Sequence, residues 1–314
     1  MKKLFKKALT AAALAMPVLS YAAATPITFD TNGVAAGGQV TIDTLDWKPG
    51  NALAVGGNPG AGGLTAGTRT QLLYQANLGT ATLLGNTQFV SNFLGTQGFT
   101  AVAGFNEVVL SNTTGLNPTF GLAPGPVGRT ASNFFYIYAN TVGNDLAGTG
   151  FVGTAAQIAL SGYVRTVNSS NYTGSTVPFV PLDNFGIDNY SPITTLVGSG
   201  STDLVLVIDG TSAYFPTLVT GSTFSFFNTS QVTPFSQVDP SAFFSSNGTT
   251  GANTAQNVGA VNGVHQAGDP TRNFAFLADG SSSFQNVPEP GSLALVGLAL
   301  GIAGFMRRRS AKKA

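Results

Sequence analysis

Between residues 25 and 286 this chain carries a single lysine, Lys48, and a single glutamate, Glu107. These two residue types ordinarily furnish the solvent face of a helix, so a long amphipathic helix has little to build that face from. The stretch is filled instead by Gly, Thr, Ser and Asn interleaved with Val, Ile, Leu and Phe, which suits strands joined by polar turns. Cysteine is absent, so neither disulfides nor thiolate metal sites support the fold. A body of roughly 260 residues is nevertheless long enough to bury one sizeable core or two smaller ones.

Alternation of apolar and polar residues places the expected strands. They fall at 39–45, 68–78, 80–90, 99–111, 133–139, 155–167, 203–209, 223–228 and 272–278. Gly79 reads as the turn of a hairpin between the second and third. Asp209-Gly210, Asn247-Gly248 and Asp279-Gly280 read as further turns. Residues 133–139, NFFYIYA, are apolar on both faces. So is the run in which Val205 and Val207 alternate with Leu204, Leu206 and Ile208, which predicts a central strand. Pro49 to Gly67 and residues 245–263 are glycine- and asparagine-rich and are expected to be loops. No fixed-period repeat is visible. Many short strands with turn signals between them predict an all-β body, a β-sandwich or jelly-roll-like domain.

Charge narrows the partners. The body has five cations, Lys48, Arg69, Arg129, Arg165 and Arg272, against twelve acids, a net charge near −7. No basic stripe is left to neutralise phosphates, so nucleic acid is not an expected partner.

Catalytic groups are few. The one histidine, His265, lies in a polar loop sequence with no G-x-S-x-G element in the chain. Glu107 with a strand-end aspartate is the Glu-containing dyad the body allows; otherwise Glu107 is an exposed position beside a strand. Asp183 and Asp188 flank Gly186 in DNFGIDN and are candidate calcium ligands. The segment lacks the closing glutamate of an EF-hand and equally fits an Asx turn. No other cofactor is expected, and no catalytic residue is assigned. Trp47, the only tryptophan, would stack on a sugar if exposed and anchor the core if buried.

The two ends read differently from the body. Residues 1–24 have a Lys2, Lys3, Lys6, Lys7 head, an apolar run from Ala8 to Leu19 without a polar face, and small residues at Ser20, Ala22 and Ala24. That is the pattern of a secretory signal peptide. Residues 287–314 begin with Pro288-Glu289-Pro290, continue uncharged from Ser292 to Met306, and end in Arg307-Arg308-Arg309 and Lys312-Lys313. The prolines hold the chain extended. The apolar stretch, as a helix, spans roughly 22 Å, short for a bilayer core of about 30 Å. The cations favour the cytoplasmic side. On residues alone a plain C-terminal anchor also fits.

In that order the three parts resemble the PEP-CTERM sorting signal of Gram-negative surface proteins. The resemblance implies an exosortase as partner, a transient stay in the inner membrane through the short C-terminal helix, and removal of the tail at the site marked by Pro288, Glu289 and Pro290. Asp46-Trp47-Lys48-Pro49-Gly50-Asn51 and the segment from Asn273 to Phe284 are similar to segments of the flocculation-associated members. The sequence therefore predicts a signal peptide (1–24), a secreted β-rich domain (25–286) and a sorting segment (287–314). The function it predicts is a non-enzymatic cell-surface or extracellular matrix protein acting in biofilm or floc formation with exopolysaccharide. The alternative is a surface protein of the same class that binds or cleaves carbohydrate.

Overall fold

In the computed structural model the described residues are 24–34, 37–92, 98–141, 153–177, 195–233 and 273–285, all within the unit Ala24–Asn286. Twelve strands form: β1 (Ile27–Asp30), β2 (Gln39–Ile42), β3 (Thr44–Val55), β4 (Arg69–Leu83), β5 (Asn86–Val90), β6 (Phe99–Ser111), β7 (Thr119–Leu122), β8 (Phe134–Ala139), β9 (Ile158–Val177), β10 (Thr195–Thr211), β11 (Thr223–Thr233) and β12 (Phe274–Gln285). Among the described residues the only helical turns are 3-10, at Pro59–Ala61 and Ala155–Gln157. The all-β class is as expected.

The hydrogen bonding turns the sheet back on itself. From β4 the order runs β3, β12, β11, β10, β9, β8 and β6, and β6 pairs with β4 again, every pairing antiparallel. Such closure leaves the eight ring strands without a free end strand, and a ring of about eight strands is just wide enough for side chains to fill. They do fill it, in a sandwich-like manner. Phe135 of β8 meets Phe224 of β11 at 5.4 Å, and Tyr172 of β9 meets Phe274 of β12 at 4.7 Å between ring centroids. Neither pair lies on neighbouring strands. Outward positions carry Arg165, Asn168 and Ser169 on β9, all exposed. On β3, β4 and β8, by contrast, the outer face is apolar and buried, as at Leu53, Leu73 and Phe134.

The strands are longer than the sequence suggests, because several turn signals lie inside them. The β4 strand runs through Gly79, and the hairpin into β5 turns at Leu84 (φ 49°) and Gly85 (φ 79°) instead. Both central residues have positive φ, as a two-residue turn of the type I′ class demands. Asp209-Gly210 lies in β10 and Asp279-Gly280 in β12, each beside a register shift. Pro49 and Gly50, expected to open a loop, are within β3. There the pairing with β4 skips from Trp47 to Asn51, so Pro49 withholds no ladder bond. A Cβ on Gly50 would collide with the Gln75 carbonyl and Ala76, so the close approach of β3 to β4 requires glycine. The loop therefore begins only after Val55.

The central-strand expectation holds for β10, which lies between β9 and β11. Its Leu204, Leu206 and Ile208 belong to the core, and Val207 is buried on the other face. In β8 all but Tyr136 are buried. The short strands β1 (ITFD) and β7 (TFGL) alternate over only four residues and are not among the expected strands.

Candidate functional site

Among the described residues the wall of the ring is interrupted where β8 gives way to β7. Along β6, residues Phe99 to Gly104 pair with β8, whereas Glu107 to Ser111 pair with β7. Along β9, Ile158 to Gly162 pair with β8, and Asn171 reaches β7. Between these two zones β6 and β9 face each other without a strand between them. The chain from Leu122 to Asn133 crosses over this gap. Asn133 secures it, its side chain accepting from the Val164 N–H at 2.8 Å and donating to the Val164 carbonyl at 2.9 Å.

Alternation sorts the residues at the gap to two sides. Inward, Glu107 is 3% exposed, although the sequence suggested an exposed position if it served no dyad. The reason is phase: on β6 Phe105, Glu107 and Val109 share the inner face, while Asn106 and Val108 point out. Ser170 of β9 donates to Glu107 Oε1 at 3.1 Å, and the Ser170 and Thr202 hydroxyls lie 3.2 Å apart. Burial pushes the Glu107 carboxyl up to about 7, the Ser170 hydrogen bond pulling weakly the other way. A cavity of about 30 Å³ adjoins it, room for about one water molecule, lined also by Leu72, Tyr172, Phe274 and Phe276. No Asp or second Glu lines that cavity. The Glu107–Asp dyad is thus not assembled among the described residues, because the side of β9 and β10 facing Glu107 presents hydroxyls.

Outward, the gap opens into a cleft of about 530 Å³ between the 122–133 crossing and β9. Its lining includes Asn106, Pro124, Pro126, Asn133, Tyr163 and Arg165. On β9, Tyr163 and Arg165 are two apart and flank the buried Val164, so both face out. The period was readable in the sequence. Their meeting with Asn106 was not, since it depends on where β8 gives way to β7.

Trp47 is 1% exposed and donates its indole N–H to Ser282 Oγ at 2.6 Å. It anchors the core and offers no face to a sugar. On the outer side of the same strands, burial and the charge of Asp46 together raise the Asp279 carboxyl above its ordinary range. His265, the candidate calcium ligands Asp183 and Asp188, the 245–263 segment, residues 1–23 of the signal peptide and the C-terminal sorting segment lie outside the described residues. Among the described residues no three of His, Cys, Asp or Glu come together as a metal site.

The sorting residues also lie outside the described part, and their assignment comes from comparison. Residues 286–310 match the PEP-CTERM protein-sorting motif. The match spans Pro288, Glu289 and Pro290 and reaches Arg307, Arg308 and Arg309. The chain thereby has the signature of an exosortase substrate, and the motif implies export to the cell surface or the extracellular space. No curated protein and no solved structure matches the chain.

Proposed function

We propose that this is a non-enzymatic extracellular matrix protein, sorted by an exosortase, that promotes biofilm or floc formation together with exopolysaccharide. The PEP-CTERM motif at 286–310 carries the reading, since it assigns the chain to the export route of surface proteins. The body supports it in two ways. Its interior is occupied by its own aromatic side chains, so the ring serves as a rigid carrier of its outer surface. Among the described residues the carboxyl of Glu107, raised to about 7, has a serine and a threonine for company where a glycosidase would need a second acid. A carbohydrate-cleaving reading loses that support, and Trp47 as a sugar platform is withdrawn into the core.

Deleting the gene in its host should abolish aggregation while exopolysaccharide output stays the same. Aggregation that persists would overturn the matrix role. Sorting has its own test, because the protease must meet its motif at a depth set by the helix and its cationic stop. Glu289→Ala, or removal of Arg307 to Arg309, should leave unprocessed protein in the inner-membrane fraction. Mass spectrometry showing the tail removed normally from both variants would contradict the sorting mechanism.

A further inference from the structure

The body is acidic overall, yet three of its five cations gather around the outer cleft. Arg165 lines it. Arg69 Nη1 donates to the carbonyl of Pro124, a lining residue, at 3.2 Å. Arg129 follows the lining residue Gly128, its Nε 3.2 Å from Asp209 and its guanidinium 5.1 Å from the Tyr136 ring centroid. No Asp or Glu is among the lining residues.

The three arginines are differently engaged. Arg129 is committed to Asp209, and Arg69 steadies the crossing chain. Arg165 is exposed, Tyr163 and Asn106 are half-buried, and none of the three side chains takes a partner among the described residues. A free guanidinium is a planar fork that matches a carboxylate. A tyrosine ring presents a flat apolar face with a polar tip. An amide supplies both donors and an acceptor. Pro124, Pro126 and Val127 add an apolar rim with little freedom to lose on binding. The volume lies in the range of sites that enclose a few ligand units.

We infer that this cleft binds an acidic polysaccharide, Arg165 pairing with a sugar carboxylate while Tyr163 lies against a sugar ring and Asn106 bonds to hydroxyls. The inference rests on the matrix reading and gives it a binding site and a ligand class. A single unpaired cation beside a stacking ring suits a polymer with a carboxylate on each sugar better than the closely spaced phosphates of nucleic acid, which call for a row of cations.

The test is binding of the full chain, purified in detergent, to three probes: a uronic-acid oligosaccharide, a neutral dextran oligosaccharide of equal length, and single-stranded DNA. The wild type should prefer the uronate and lose affinity as salt is raised. Arg165→Ala should weaken uronate binding about tenfold or more, Arg165→Lys should retain part of it, and Tyr163→Ala should weaken it too. Circular dichroism and melting should not change, since both side chains face outward. Equal binding of uronate and dextran, preference for DNA, no binding at all, or an unaltered Arg165→Ala would each overturn the inference. The two ideas fail separately. Gene deletion that abolishes aggregation alongside an inert cleft sinks the cleft alone, whereas a uronate-binding cleft in a protein dispensable for aggregation sinks the matrix role alone.

Discussion

The two ends of the ring interior solve the problem of filling it in opposite ways. At one end Phe29 of β1 sits 5.1 to 5.5 Å from Phe89, Phe99 and Phe215, and Phe284 continues the cluster to Phe224. The β1–β2 pair closes that end, and the ring contacts there are edge-on or tilted, the arrangements aromatic quadrupoles favour. At the other end Glu107, Ser170 and Thr202 form a buried polar patch against Tyr172 and Phe274. The aromatic end draws its stability from area removed from water. The polar end holds a carboxyl whose charge burial opposes, so its contribution depends on pH. One fold thus has an end held by aromatic packing and an end whose buried carboxyl responds to pH.

The largest effect is expected from a charge placed between the ends. Leu206 is 1% exposed, and Leu206→Asp would bury a carboxylate without a partner, enough to unfold the domain. Loss of the cooperative melting transition checks it. Next comes Phe29→Ala, which should cost about 3–5 kcal/mol, by the same amount at pH 5 and pH 8, as urea unfolding at the two pH values would show.

Glu107→Gln sharpens the contrast. In the wild type the folded carboxyl is raised from 4.5 to about 7. Below that window both states hold the proton. Within it the folded state keeps a proton that the unfolded chain has released, so stability falls as pH rises, by roughly 3 kcal/mol in all. Above it the loss is complete. Glutamine still accepts from Ser170 and never ionises, so the variant should lose this dependence and exceed the wild type at pH 8. A wild-type stability that does not change between pH 4.5 and 7 would remove the distinction between the ends. The smallest expected effect lies outside both. Leu84→Asn gives the β4–β5 turn the Asn-Gly pair its positive φ values favour, and should stabilise by about 0.5–1 kcal/mol in thermal melts.

The difference between the ends also marks how far the sequence could be read. The β class followed from composition, and the central place of β10 from its two apolar faces, because side chains on a strand alternate with a period of two. Trp47 read as either a sugar platform or a core anchor, and its burial makes it the anchor. Closure of the sheet did not follow, since it needs the β3–β12 pairing, which joins residues from opposite ends of the body with no local signal. Turn dipeptides misled where tertiary pairing absorbed them as bulges, as at Asp279-Gly280 and Pro49-Gly50. Glu107 looked like a surface residue because a lone glutamate in a strand usually is one. Its place inside depends on the hydroxyls that β9 and β10 bring across. The outer cleft escaped for the same reason, its walls coming from β6, β9 and a crossing chain. The sorting tail, by contrast, is linear, and all of it could be read in order.

The central claim, that the folded surface and not a catalytic side chain does the work, is tested most directly by complementation. A host lacking the gene would receive the wild type, Glu107→Gln or Leu206→Asp, with aggregation and extracellular protein measured together. Wild type and Glu107→Gln should restore aggregation equally, and Leu206→Asp should fail. A Glu107→Gln protein that is exported, folded by circular dichroism and unable to restore aggregation would contradict the account.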